Sequence, residues 1–371
     1  MKQNILLLFA MVLFCTAIAY VQLGKAGISQ NIGSFYYRDI EFNPNIPHAC
    51  FLKDGKLYVG ELDTIRGGFL NRTNGCDYLV DSSAVIIKNG AEWGQVNGEE
   101  CVFYTRYCEG NTCLAMSCFN PKNDTYSLPK ILQKEKINTY AIIPKLINND
   151  RLCYFFKDNM SYYISCDTEE DTLLFDFVYE YPEPKPKALK GPRWIPNSLK
   201  ILTSIIVNDI CQIFIFDIAS NKYKQVSFGD GNKYNAFFLE SMDDSTIVYL
   251  KNSQKIIVHN LEKSSKRCIY NTTQKGECVL FDMEPFFLKN NPFIFFIEET
   301  LQSSSVYVID VKNDKAEPVL IVAEHNKIKG GEVFVHGNSV YFYYTSVSLD
   351  ENTEHKYQLR CIDIKKMLGG G

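Results

Sequence analysis

Seven consecutive four-stranded units, closed into a single seven-bladed β-propeller, are what this sequence predicts, and three observations carry the prediction. Aromatic content is one-sided, with 25 Phe and 23 Tyr against 2 Trp, a bias toward residues that suit pleated, half-buried surfaces. Runs rich in Ile, Val, Phe and Tyr end in Asp or Asn at positions 71, 120, 167, 217, 260, 310 and 363, at intervals of 49, 47, 50, 43, 50 and 53 residues, and periods of this length mark propellers or solenoids. No stretch shows sustained helical periodicity with caps.

The N-terminus comes first. Lys2, the apolar run Ile5 to Cys15 and the small-x-small sequence Ala17-Ile18-Ala19 predict a secretory signal peptide over 1–19. An uncleaved anchor is the rival, but a spanning helix wants roughly 20 apolar positions, and the run from Ile5 is shorter. Residues 20–33 read as a linker, 34–368 as the propeller and 369–371 as a glycine tail. The strand-like segment Ser34 to Phe42 precedes the first unit, so pairing it with the last unit would close the ring and remove two exposed edges. Six blades, with the second unit too irregular to count, is the alternative.

Within each unit a bulky apolar residue leads into a turn upstream of the Asp or Asn: Cys50 to Lys56, Trp93 to Glu99, Pro144 to Asp150, Trp194 to Lys200, Phe238 to Asp244, Phe287 to Asn291 and Val335 to Asn338. Each unit then reads strand, tight turn, strand, loop, strand, Asp/Asn turn, strand. A side-chain oxygen at the Asp/Asn position bonds backbone N–H groups two residues on and starts the turn. Middle strands such as Ile213 to Phe216 and Val306 to Ile309 are apolar on both faces, as sheets covered on both sides require.

The fourth unit carries a resemblance. Gly191-Pro192-Arg193-Trp194-Ile195-Pro196-Asn197-Ser198, then Gln212 to Lys222, then Gln225 to Gly231, resembles the TolB-like propeller repeat, which is related to the propellers of prolyl-oligopeptidase-type peptidases. The resemblance implies a propeller used as a protein-binding platform; fold does not fix function.

Cysteine and sequon content bear on compartment. Of 13 Cys, Cys15 lies in the signal, and the remaining even number can all pair in an oxidising compartment. Cys101 with Cys118, Cys108 with Cys113, Cys153 with Cys166 and Cys268 with Cys278 are the expected local bridges, while Cys50, Cys76, Cys211 and Cys361 have no assignable partner. Sequons begin at Asn71, Asn123, Asn159 and Asn271. The expectation is a glycosylated protein of the secretory lumen, cell surface or extracellular space, without a membrane span after signal cleavage.

Charge and motifs narrow the chemistry. With 39 basic against 43 acidic side chains and a formal charge of −4, nucleic-acid binding by phosphate neutralisation is not expected. The chain lacks the G-x-S-x-G elbow of a hydrolase, a Walker loop, an H-E-x-x-H pair and an EF-hand loop, so no cofactor or metal is expected. The Gly-rich segment Phe228 to Asn232 reads first as an inter-blade turn, and Tyr181 to Lys187, with its Pro-x-Pro pattern, as a stiff connection. Innermost strands line a propeller's channel, so the residues just before each turn cluster form the candidate ligand site: His48, Glu92, Tyr140, Arg193, Asn235, Glu284 and Glu332. That mixture suits a cationic or polyhydroxyl ligand. The functional expectation is a non-catalytic module binding a protein or a glycan; the alternative is a propeller glycosidase or lyase using channel carboxylates.

Overall fold

In the computed structural model the chain is described over 30–33, 38–53, 55–70, 77–85, 91–133, 143–147, 150–157, 160–165, 171–175, 190–195, 198, 200–217, 219–220, 222–239, 245–273, 277–350 and 356–368. The expected signal peptide 1–19, the proline-rich segment 181–187 and the glycine tail lie outside the described residues. Among those described, regular structure is strand throughout, apart from one 3-10 turn at Lys365–Leu368.

The strands form seven antiparallel sheets, the blades. Their innermost strands are Arg38–Phe42, Glu92–Val96, Ile143–Ile147, Lys190–Ile195, Lys233–Phe238, Val279–Leu288 and Lys327–His336. Each touches the innermost strands of the preceding and following blades, the last touching the first. The chain is therefore a β-propeller, and the innermost strands enclose its channel.

Blades stack because their strands are apolar on both faces. In blade 6, Phe293, Phe295 and Ile297 pack against blade 7. The alternate residues Ile294 and Phe296 pack against blade 5, as the two-residue side-chain period dictates. Similar wedges lie between blades 1 and 2 around Leu57, Val59 and Val102, and between blades 4 and 5 around Leu202, Ile213 and Tyr249.

The Asp/Asn turns work as the sequence suggests. Oδ1 of Asn120, Asp310 and Asp363 accepts the N–H two residues on, at 3.0, 2.9 and 3.0 Å. Asp217 and Asn260 reach three residues on, to Ser220 and Lys263, at 3.2 and 2.8 Å. Blade 1 differs from the expectation. Its third strand, Lys56–Glu61, ends ten residues before Asn71, and Asp63 makes the turn by accepting from Ile65 and Arg66 at 2.8 Å each.

The closing strand is also corrected. Gln30–Gly33 pairs with Tyr357–Asp363 of blade 7, with Gln30 opposite Cys361, so the propeller starts within the expected linker 20–33. Arg38–Phe42 is instead the innermost strand of blade 1, paired with His48–Lys53. Its turn, Asn43 to Pro47, is held by Asn43 Oδ1 accepting from Asn45 and Ile46. A second clasp crosses the same seam. The loop after Leu62 lies on blade 7, where Tyr341 donates to Ile65 O at 2.7 Å, Ser339 donates to Thr64 O, and Tyr343 Oη accepts from Gly68 N–H at 2.9 Å.

Among the described residues one disulfide bond is formed. Cys101 and Cys118 stand directly opposite each other on neighbouring strands of blade 2 and are bonded. Cys108 and Cys113 are neighbouring thiols: Cys108 faces Asn111 and Cys113 faces Arg106, so the two are offset rather than opposed. Cys268, exposed on the outermost strand of blade 5, donates to Tyr270 O, while Cys278 is buried. Cys50, Cys211 and Cys361 are also buried thiols. Cys76, Cys166 and the side chain of Cys153 lie outside the described residues.

Candidate functional site

The same irregularity recurs where innermost strands meet the channel. One extra residue interrupts the pairing between Arg38 and Glu41, Lys190 and Arg193, Tyr234 and Phe237, Phe281 and Glu284, and Ile328 and Gly331. Such bulges re-aim a side chain. Here the residue that resumes pairing is Glu41, Arg193, Phe237, Glu284 or Gly331, with Glu332 following. Asn235 and Asp282 occupy equivalent bulge positions with φ of 52° and 49°, which Asn and Asp tolerate better than most residues.

These two bulge residues tie blades together. Asn235 Nδ2 of blade 5 donates to Met283 O of blade 6 at 2.9 Å. Asp282 Oδ2 of blade 6 accepts Gly331 N–H of blade 7 at 2.6 Å. Both links fix the backbone next to the channel glutamates.

Five charged groups from five blades converge: Glu41, Glu92, Arg193, Glu284 and Glu332. Arg193 Nη2 lies 3.1 Å from Glu284 Oε1, and its guanidinium carbon stands 4.1 Å from the centre of the Phe237 ring. The Glu41 backbone oxygen accepts Trp93 Nε1–H at 2.9 Å, across the junction of blades 1 and 2. Burial, with Glu92, Glu332 and Glu284 in range, holds the Glu41 carboxyl well above its usual value near 4.5, and Arg193 opposes the shift. The Glu332 carboxyl is also raised, by burial first and then by Glu284 and Asp282; it hydrogen-bonds Glu284. Like charges this enclosed favour keeping part of the set protonated. The channel can thus present carboxyl donors, carboxylate acceptors and one guanidinium to a single ligand.

Of the sequence-derived candidates, Glu92, Arg193, Asn235, Glu284 and Glu332 all lie on innermost strands. Glu92, Arg193, Glu284 and Glu332 belong to the convergent set, and Asn235 acts as a blade tie. His48 does not belong: it sits on the second strand of blade 1, buried, with Nδ1 3.0 Å from Tyr126 Oη. Tyr78 and Phe119 also surround its ring. Tyr140 lies outside the described residues. Glu41 was missed because Ser34 to Phe42 read as the closing strand, which moved the blade 1 position onto His48. Its signal was available, since Glu41 lies just before the Asn43-Pro44-Asn45 turn as Glu284 lies just before Lys289-Asn290.

The Gly-rich turn before blade 5 holds a cation of its own. Lys233 is buried, and its Nζ donates to the carbonyl oxygens of Gly229, Asp230 and Gly231 at 2.8, 3.0 and 2.7 Å. The carbonyls that a metal would need are therefore bonded to the chain's own ammonium. No group of metal-ligating side chains occurs among the described residues, and no described helix is long and apolar enough to cross a membrane.

No family model matches the chain, and no curated protein sequence does. Solved structures do resemble it. An oligogalacturonate lyase from Vibrio parahaemolyticus is 8% identical, aligning 91% of this chain with 98% of that one at a TM-score of 0.53. The Dos1 propeller is 12% identical, aligning 91% with 94% at a TM-score of 0.51. One neighbour is a lyase and the other a propeller without a stated reaction, so their likeness speaks to architecture alone. What the two comparisons and the seven stacked sheets establish together is that this chain is an all-β protein of the β-propeller class.

Proposed function

We propose that the protein is a secreted binding module that takes a neutral or cationic polyhydroxyl ligand, a glycan in the first instance, in its propeller channel. The observation that carries this reading is the convergence of Glu41, Glu92, Glu284 and Glu332 with Arg193 from five blades. Paired carboxyls and a guanidinium offer the planar acceptor and donor pairs that sugar hydroxyls need. An oligogalacturonate, the substrate named for the lyase neighbour, is a polyanion, and a channel whose acidic groups outnumber its one arginine is poorly suited to it. The TolB-like sequence character of blade 4 belongs to the same reading of a propeller used as a platform. The Cys101–Cys118 bridge and the exposed sequon asparagines Asn123 and Asn271 fit passage through an oxidising lumen.

The test is binding of the protein, expressed through a secretory pathway, to neutral, amino-sugar and uronate oligosaccharides. Neutral or amino sugars are expected to bind, uronates are not, and Glu284→Gln or Arg193→Ala should weaken binding at least tenfold. Wild-type affinity surviving in both variants would remove the channel from the function.

A second reading has its own observation. Glu332 is raised and hydrogen-bonds Glu284, which Arg193 contacts, and a carboxyl pair sharing a proton can supply an acid and a base to a bound polysaccharide. Release of new sugar ends that disappears in Glu332→Gln would favour this enzyme reading over simple binding.

A further inference from the structure

Outside the channel, a groove of about 940 Å³ lies between blades 4 and 5. It is the surface continuation of the apolar wedge between these blades. Ile215, Phe238 and Leu261, which pack partly buried against that wedge, also line the groove. Its volume falls in the range of about 300–1,000 Å³ typical of ligand sites.

One wall is set by cross-strand register. Lys200 of the second strand of blade 4 stands opposite Asp217 of the third, which stands opposite Lys222 of the outermost. One row deeper, Ile215 stands opposite Lys224. This wall carries three lysines, and Lys222 and Lys224 are exposed. Asp217 is 3.9 Å from Lys200, a distance at which an exposed pair contributes little. Asp217 and, on the blade 5 side, Glu262 also line the groove, so its three lysines leave a small excess of positive charge, concentrated on the blade 4 wall, in a molecule of formal charge −4.

The groove's length and chemistry restrict the occupant. It runs from Ile195 on the innermost strand of blade 4 to Lys222 and Lys224 on the outermost, across three strand spacings of about 4.8 Å, or roughly 14 Å. About four extended residues span that distance at roughly 3.3 Å each. Successive side chains of an extended segment point to opposite sides. A segment alternating apolar with acidic residues therefore lays one set on Phe238 and Leu261 of the blade 5 side and turns the other toward the lysines of the blade 4 wall.

We propose that the groove between blades 4 and 5 is a docking site for an extended partner peptide in which apolar and acidic residues alternate. The site is separate from the channel and does not depend on the channel's ligand.

The experiment measures binding of fluorescent Leu-Asp-Leu-Asp-Leu-Asp to the full protein, beside Leu-Lys-Leu-Lys-Leu-Lys, Ser-Asp-Ser-Asp-Ser-Asp and phosphatidylserine vesicles. The acidic–apolar peptide should bind, should weaken at least tenfold in Lys222→Glu/Lys224→Glu, and should weaken with added salt. The lysine peptide should prefer the double variant. Both substituted positions are exposed, and an unchanged thermal melt verifies folding; Phe238→Ser provides a variant of the apolar floor, with the same loss expected. Glu284→Gln should leave peptide binding unaltered, which separates this site from the channel. The proposal is overturned if the acidic–apolar peptide binds the double variant as well as the wild type, if the serine peptide binds equally, or if the vesicles alone are bound through these lysines.

Discussion

Glu41 is a residue whose ordinary chemistry is inverted by its place in the fold. A carboxyl raised above its unfolded value binds protons in the native state that the unfolded chain has released, so native stability falls as pH rises from about 4.5 toward the elevated value. The same sign holds for Glu332. Glu41→Gln and Glu332→Gln keep a polar side chain of similar shape without the charge, so each is expected to raise Tm at pH 7.5 by a few degrees and leave it unchanged near pH 4. Thermal melts at the two pH values check this, and an equal change at both would show that charge is not the cause. Lys233 is a buried cation held by three carbonyls, although burial lowers its pKa. Lys233→Met is expected to cost on the order of 2 kcal/mol in urea unfolding, because the turn loses three charge-assisted hydrogen bonds.

Among elements, the innermost strand with its bulge is the unit that builds the channel, and glycine is fixed at one of these bulges by contact. A Cβ at Gly331 would come within 2.2 Å of Phe342 Cζ, and Phe342 is fully buried in the wedge between blades 6 and 7. Gly331→Ala is therefore expected to destabilise the protein by about 1–3 kcal/mol and, by shifting the backbone next to Glu332, to weaken any channel ligand as well. Denaturant unfolding measures the first effect and calorimetric titration the second. The bulges were not legible in the sequence, because the extra residue shifts the alternation by one, as between Leu280 and Met283, and without the pairing partner such a shift reads as a turn or an irregular strand. The third-strand turns were legible, since Asp or Asn there has a local task that its own oxygen performs. Blade 1 shows the limit of that logic. The reading slipped by one strand, and that single slip moved the closing strand from Gln30 to Ser34, the turn from Asp63 to Asn71 and the channel residue from Glu41 to His48. Cys50 to Lys56 joins the second and third strands there, whereas the corresponding clusters of the other blades join the first and second. Both positions offer an apolar residue followed by a turn, so composition does not tell them apart.

At the scale of the whole molecule the weak point of a ring is the seam where its two ends meet, and this ring is held there twice. Gln30–Gly33 pairs with the edge of blade 7, and the loop after Leu62 hydrogen-bonds to Ser339, Tyr341 and Tyr343 of the same blade. The strand shields an edge that would otherwise invite another chain; the loop holds blade 7 against blade 1 through side-chain hydroxyls. Deleting the chain up to Gly33 removes the strand and is expected to cost about 2–4 kcal/mol, taking roughly 1 kcal/mol for each lost hydrogen bond. It should also promote self-association through the bared edge. Tyr341→Phe/Tyr343→Phe removes the clasp's two tyrosine hydroxyls, leaving Ser339, while preserving the rings in the wedge between blades 7 and 1, at a cost of about 1–2 kcal/mol. Because either clasp alone keeps blade 7 in place, loss of both should exceed the sum of the separate losses, with a coupling of about 0.5–3 kcal/mol. Urea unfolding of the four proteins of this cycle measures that coupling directly. Strict additivity would mean that strand and loop stabilise different regions, and the seam would then be held by one of them alone.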